Sequence, residues 1–151
     1  MENFSGLTPE EKARLLDLEK SVALDNARPI IKKDFLSFVK YVWPEFIEGS
    51  HHKKINKKFN DLAEGKIKRL IINMPPRHTK SEFASYLLPA WMVGLDPRLK
   101  IIQATHTADL AVDFGRKTKN LVDQPNYKEL FDTRLMEDSQ AAGKWKTEQG
   151  G

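Results

Sequence analysis

A short loop carries the residue types of this chain that are best suited to chemistry. It runs from Met74 to Ser81 with the sequence MPPRHTKS. The apolar residues before it predict a buried strand, and the residues after it, Glu82 to Leu88, predict a helix. Strand, loop, Lys-Ser and helix together are typical of a P-loop. Met74 and Thr79 stand where the pattern G-x-x-x-x-G-K-[ST] has glycine, so the pattern alone matches weakly.

The residue types of the loop suit phosphate chemistry. In a P-loop the lysine, here Lys80, binds phosphate and the following hydroxyl, here Ser81, ligates Mg²⁺. The Arg77 guanidinium could meet a γ-phosphate and stabilise charge in the transition state. Pro75 and Pro76 have no N–H groups, so the phosphate-binding amides should be those of about residues 77–81. His78 is expected to be a loop side chain near the phosphate. A plain surface loop is the competing interpretation.

Helices and turns must position this loop. Thr8, Pro9 and Glu11 predict a capped helix that ends at the boundary Arg28-Pro29. A second helix is predicted from about Asp34 to Trp43-Pro44, and a third from His51 to Glu64 with Gly65 as its stop. One further helix follows the loop, and Pro89 is expected to interrupt it before a turn at Gly94. Another helix is predicted over about residues 108–122. Thr107 is the expected N-cap of the helix at 108–122.

Two apolar segments, residues 67–73 and 100–105, are predicted strands, and a weaker one lies near 144–147. Strands that alternate with helices predict an α/β fold with a parallel sheet. The expected fold class is therefore an incomplete P-loop NTPase-type parallel sheet with flanking helices. An N-terminal helical segment, residues 1–33, precedes it. Residues 105–107 follow the second strand, at the edge where ligands of such sheets bind.

Composition limits the classes of protein. Among 151 residues, 40% are hydrophobic and 30% charged, which suits one soluble domain or part of a larger one. Cysteine is absent, which excludes disulfides and thiolate metal sites. No apolar run spans a bilayer, so no membrane association is expected. The net charge of +4 and three basic clusters fit a nucleic-acid surface, although charge alone favours ordinary solvated helix faces. The four histidines lack zinc-ligand spacing.

A longer series of motifs resembles one protein family. The loop PPRHTKS is followed by Lys100 to Thr105, then by Asp109 to Arg116, Tyr127 to Phe131 and Trp145 to Thr147. In that order these motifs resemble the large subunit of tailed-bacteriophage terminases, the ATPases that package viral DNA. The resemblance covers about residues 34–151. Members of that family commonly have glycine before the lysine, so Thr79 is a departure.

The resemblance implies a function for each part of the chain. Residues 34–151 would be the amino-terminal part of a P-loop ATPase domain, without its Walker B strand and nuclease domain. ATP and Mg²⁺ would be the cofactors, double-stranded DNA would be the substrate, and portal protein and terminase small subunit would be partners in a homo-oligomeric motor. The host cytoplasm would be its location. The residues carried over are the following: Pro76, Arg77, His78, Thr79, Lys80 and Ser81 bind nucleotide, with Arg77 catalytic and Ser81 on the metal.

Two other functions stay open from the sequence. A truncated or split product would bind nucleotide or motor partners without hydrolysing ATP. The lack of a strand ending in Asp-Glu favours this function for the polypeptide alone, since Asp132, Glu137 and Asp138 lie in polar, non-strand contexts. A small kinase is disfavoured because the loop glycines are missing. Whether the chain itself turns over ATP is therefore undecided between an enzyme and a binding module.

Overall fold

The structure is a computed structural model that describes residues 8–141 and 143–151. It is a mixed α/β structure in which helices predominate. Helix α1 spans Pro9–Lys33 and begins with the predicted capping box, in which the backbone N–H of Thr8 donates to the Glu11 carboxylate over 2.8 Å. The predicted end at Arg28-Pro29 is wrong, because α1 continues through Pro29. Its last turns pack on the core through buried Ile31, which offsets the hydrogen bond that proline removes.

Helices α2, Phe35–Val42, and α3, Ser50–Ala63, lie close to their predicted positions. Asp34 caps α2 by accepting from the backbone N–H of Ser37 over 2.8 Å. Gly65 ends α3 with a positive φ of 72°, a conformation that glycine adopts without steric cost. Local capping signals therefore set both ends of this helical pair.

The core is an aromatic cluster that joins the first three helices to the chain after the loop. The ring of Phe35 makes edge contacts with Phe59, Phe83 and Trp91, at centroid distances of 5.0, 5.3 and 5.7 Å. Trp91 also donates from Nε1 to the carbonyl of Ile31 over 3.2 Å. Edge-to-face ring pairs add specificity to the burial of apolar area. Phe83 thus fixes the segment that follows the loop against α2 and α3.

A π-helix at Glu82–Leu87 follows the loop and continues directly into α4, Leu88–Leu95. The helix was predicted to be interrupted at Pro89. In the structure it changes from a π-helix to an α-helix at Leu88, and Pro89 lies in the first turn of α4. Gly94 lies inside α4 and not in the predicted turn. A Cβ atom there would come within 2.7 Å of the Phe131 ring, so the close packing of that ring requires glycine.

Helices α5, Ala108–Val122, and α6, Pro125–Leu130, complete the helical part. Thr107 caps α5 as predicted, since its hydroxyl accepts from the backbone N–H of Leu110 over 3.4 Å. Tyr127 of α6 is fully buried and donates to the carbonyl of Ala90 over 2.7 Å. Helix α6 therefore packs against α4 through one buried hydrogen bond.

The sheet differs from the prediction. Strands β1, Leu135–Ala141, and β2, Lys144–Thr147, form an antiparallel pair, and within the described residues no parallel sheet is present. Residues 67–73 and 100–105, predicted as strands, have no β-bridge. In the first segment and the residue that follows it, the side chains from Leu70 to Met74 alternate between part-buried and exposed, as in an extended chain with one face on the core. A strand needs a hydrogen-bonded neighbour, and the described chain places none beside either segment.

Candidate phosphate-binding loop

The loop between residues 73 and 82 has an unusual backbone. Arg77 and Thr79 have φ values of 63° and 57°, and they are the non-glycine residues with positive φ in the described chain. Such a conformation costs about 1–2 kcal/mol for a residue with a Cβ atom, and threonine is β-branched. Alternation of left-handed and ordinary residues turns successive backbone N–H groups toward one side, as in anion-binding nests.

The amides of this loop are available to a ligand. In the described part of the chain, no acceptor is hydrogen-bonded to the backbone N–H groups of residues 77–81. They lie just before the π-helix at Glu82–Leu87, where the first N–H groups of a helical segment lack internal partners. These five amides follow the two prolines, and their binding of phosphate stays a prediction. The arrangement can accept a phosphate-sized anion.

Lys80 places its charge beside these amides. Its Nζ atom donates to the carbonyl of Met74 over 3.4 Å, and the side chain is part-buried. The ammonium therefore folds back across the loop toward the residue that precedes the prolines. A hydrogen bond of this length is weak, so an anion on the amides can compete for the ammonium group.

Ser81 is exposed, and within the described residues its hydroxyl makes no hydrogen bond. In the same residues no group of three or more His, Cys, Asp or Glu side chains is placed to hold a metal ion. A hydroxyl and phosphate oxygens are ligands that Mg²⁺ accepts, and this ion usually keeps several waters. The exposed Ser81 hydroxyl is therefore able to ligate a magnesium ion that arrives with phosphate oxygens.

Arg77 and His78 lie on the exposed outer part of the loop. The Arg77 guanidinium has no acidic partner among the described residues, so its five donors are available. His78 contacts the loop itself, with its Nδ1 2.8 Å from the carbonyl of Pro76. This contact stiffens the turn after the two prolines.

Two histidines of α3, His51 and His52, lie beside the loop, which itself carries His78. The role of His52 was not predicted from the sequence. The ring of His51 lies 3.8 Å from that of His52 and 5.6 Å from that of His78, measured between centroids. His52 is buried, and its Nε2 lies 2.7 Å from the Thr79 hydroxyl. The signal was present in the sequence, because His52 precedes the inward-facing Ile55 by three residues and so shares its helix face.

Two other predicted features lie outside this group. Thr105 donates from its hydroxyl to the carbonyl of Thr107 over 2.5 Å, and residues 105–107 are exposed. The three basic clusters are partly neutralised by ion pairs, among them Lys53 with Glu48 at 3.5 Å and Lys117 with Glu82 at 3.2 Å. Exposed basic side chains without an acidic partner in the described chain remain at Lys54, Lys57, Lys68 and Arg69.

Two clefts of about 480 Å³ each lie along residues 99–103, and no residue of the loop lines either one. The candidate phosphate-binding residues therefore lie outside these two clefts. Within the residues that the structure covers, no helix is long and apolar enough to cross a bilayer. The chain matches no protein-family model, and comparisons with curated proteins and with solved structures found no similar protein.

Proposed function

We propose that this chain binds ATP through residues 76–81 and forms the amino-terminal part of a viral terminase large subunit, an ATP-driven motor that packages double-stranded DNA. The observation that carries the nucleotide-binding part is the group of five uncommitted amides at residues 77–81 beside the Lys80 ammonium. Backbone amides and a lysine at the start of a helical segment are what a triphosphate requires. The terminase assignment rests on the ordered motifs of the sequence.

The proposed roles divide among the loop residues. The amides of residues 77–81 and the Lys80 ammonium neutralise the β- and γ-phosphates, and the Ser81 hydroxyl ligates Mg²⁺. When bound, Mg²⁺ and ATP supply the phosphoryl chemistry. Arg77 stabilises the charge that develops on the transferring group. Residues 67–73 and 100–105 are proposed strands of a parallel sheet. The alternating burial from Leu70 to Met74 supports the first strand, and the unpaired backbone groups of residues 68–73 and 100–105 support both.

The proposed partners follow from charge and from the resemblance. Double-stranded DNA would contact exposed basic residues such as Lys54, Lys57 and Lys68, which make no ion pair in the described chain. Such contacts make affinity fall steeply with salt concentration. Portal protein, terminase small subunit and further copies of the large subunit complete the proposed motor, which would act in the host cytoplasm on a procapsid.

A second function is nucleotide binding without turnover. It is favoured by the absence, among the described residues, of any group of three or more His, Cys, Asp or Glu side chains placed to hold a metal ion. Hydrolysis needs a group that activates the attacking water. The two functions share the loop and differ only in catalysis.

Two measurements on the purified chain test these functions. Calorimetric titration with Mg-ATP should give saturable binding to one site per chain, and inorganic phosphate at high concentration should compete. Phosphate release should then be followed with and without linear DNA. Turnover near ~10 s⁻¹, the median for enzymes, supports the ATPase function. Binding without turnover supports the binding module, and absence of binding at millimolar Mg-ATP contradicts both.

A further inference from the structure

His52 links helix α3 to the loop through a chain of hydrogen bonds with a fixed direction. Its Nδ1 lies 2.8 Å from the backbone nitrogen of Gly49, which can only donate. Nδ1 is therefore unprotonated, and the ring hydrogen of neutral His52 is on Nε2. Nε2–H then donates to the Thr79 hydroxyl over 2.7 Å, and that hydroxyl donates to the carbonyl of His78 over 2.7 Å.

This chain of bonds ends at a residue that needs support. Thr79 has a φ of 57°, a left-handed conformation that a β-branched residue adopts only when its surroundings fix it. The hydroxyl bonds to His52 and His78 supply that fixation. Thr79 immediately precedes Lys80, and its own N–H is one of the five uncommitted amides. The conformation of Thr79 therefore decides where those amides and the lysine point.

We propose that neutral His52 holds the loop in its phosphate-binding conformation, and that protonation of His52 releases Thr79 and weakens nucleotide binding. The inference rests on the proposed function of the loop and adds a means of regulating it. Protonation places a hydrogen on Nδ1, directly opposite the Gly49 N–H, so two donors face each other. The ring must then move, and its bond to Thr79 is lost with it.

The surroundings of His52 oppose this protonation. The ring is 4% exposed and lies between the rings of Phe46 and Phe83, at centroid distances of 4.7 and 5.0 Å. Burial lowers the pKa of His52 below its usual 6.5, and a charge on His51 lowers it further. The groups whose charges act on the ring are these: His51 on the same helix, Glu48 before it, which raises the pKa, and His78 from the loop.

The direction of the pH effect follows. Because the pKa of His52 lies below 6.5, the imidazole is neutral at pH 7–8 and the loop keeps its binding conformation. Affinity falls as the pH drops below 6.5 through the lowered pKa of His52 and the ring takes up a proton. Glu48 is held by Lys40 at 2.5 Å and by Lys53 at 3.5 Å, so its own charge persists across this range.

The test compares Mg-ATP affinity from pH 5 to 8 in the wild type, His52→Gln and His52→Ala. Glutamine can still donate to Thr79 but does not titrate in this range. The wild type should lose affinity about tenfold more than His52→Gln toward pH 5, the equivalent of one lost hydrogen bond. Protonation of ATP affects both proteins and cancels in this comparison. Equal pH profiles contradict the proposal.

A second experiment separates the effect of His52 on Thr79 from a general loss of stability, and it does not depend on catalysis. On a Thr79→Gly background the left-handed conformation needs no hydroxyl, so His52→Ala should no longer change nucleotide affinity, whatever the affinity of Thr79→Gly itself. The cost of His52→Ala in melting temperature should also shrink by about 3 °C or more on that background. The same cost on both backgrounds contradicts the proposal. Failure of the wild type to bind Mg-ATP at pH 8 contradicts the proposed function instead, and the melting temperatures still decide whether His52 holds Thr79.

Discussion

The carboxylate of Asp34 accepts a hydrogen bond from the side-chain amide of Asn56 over 2.6 Å, and this contact joins α2 to α3. Asn60 donates to the same carboxylate over 2.8 Å. In return, the two asparagine side chains accept from the backbone N–H groups of Phe35 and Leu36. The first amides of α2 are thus satisfied by three side chains, and α3 is oriented so that His52 faces the loop.

Replacing Asp34 should destabilise the protein in a pH-dependent way. In Asp34→Asn one carboxylate oxygen becomes an N–H₂ group, which faces either the two asparagine donors or the backbone N–H of Ser37, so the free energy of unfolding at pH 7 should fall by about 2–3 kcal/mol. The matched control is Asp25→Asn, which loses only an exposed ion pair with Arg28 and should cost less than about 0.5 kcal/mol. Urea unfolding measures both. Equal effects of the two substitutions would exclude the proposed role of Asp34.

The pH dependence has a definite sign. Burial raises the pKa of Asp34, but hydrogen bonds from Asn56, Asn60 and Ser37 more than offset it, so this pKa lies below 3.8. The stabilisation is therefore present above pH 3.8 and is lost as the pH falls through the lowered pKa. The stability difference between the wild type and Asp34→Asn should shrink below pH 3.8. A difference that is constant from pH 7 to pH 2.5 would contradict this explanation.

The two unpaired apolar segments should make the chain self-associate. Ile102 is 94% exposed and Ile71 is 86% exposed, on segments whose backbone groups have no strand partner in the described chain. Exposed apolar edges of this kind pair with other chains. Ile102→Lys should weaken association by about 10- to 100-fold, the equivalent of one buried isoleucine. Sedimentation at several concentrations measures it.

The control for this prediction is Ile30→Lys, because Ile30 is 62% exposed on the helix α1, whose backbone is hydrogen-bonded internally. It should leave self-association unchanged. A chain that stays monomeric at high concentration, or equal effects of the two lysine substitutions, would show that these segments do not mediate self-association.

Arg77 should act on the transition state more than on bound nucleotide. Its guanidinium is exposed, without an acidic partner in the described residues, and three residues before Lys80. Arg77→Ala should weaken binding of Mg-ADP with aluminium fluoride, which mimics the transferring phosphoryl group, by up to ~10³-fold. Affinity for Mg-ADP alone should change little. Arg77→Lys should rescue poorly, because an ammonium cannot replace a planar fork. An equal loss for both ligands would make Arg77 a simple binding contact.

Local signals explain why most helices could be predicted from the sequence. Thr8, Asp34, Gly65 and Thr107 each fix a helix end through contacts within four residues. Pro29 misled the prediction, because packing of the last turn of α1 outweighs the hydrogen bond that proline removes. Local signals of this kind do not specify strand pairing, since it depends on segments far apart in the sequence.

The candidate site divides in the same way. The amides after Pro76 and the adjacent Lys80 could be named from the order of residues along one loop, and their role in phosphate binding stays a prediction. The bond from His52 to Thr79 joins residues 27 positions apart, so it required the packing of α3 against the loop. Thr79 stands where the P-loop pattern has glycine, and the structure shows how a threonine adopts a positive φ there.

The central claim is that the loop at residues 76–81 binds the phosphates of ATP, and Lys80 tests it most directly. Calorimetric titration with Mg-ATP at pH 8 should be made on the wild type, Lys80→Ala and Lys54→Ala, an exposed lysine of α3 without an acidic partner in the described chain. Loss of one charge-assisted contact should weaken binding by about 10- to 150-fold in Lys80→Ala, with Lys54→Ala unchanged. Clear binding by the wild type with equal affinity in Lys80→Ala would contradict the account.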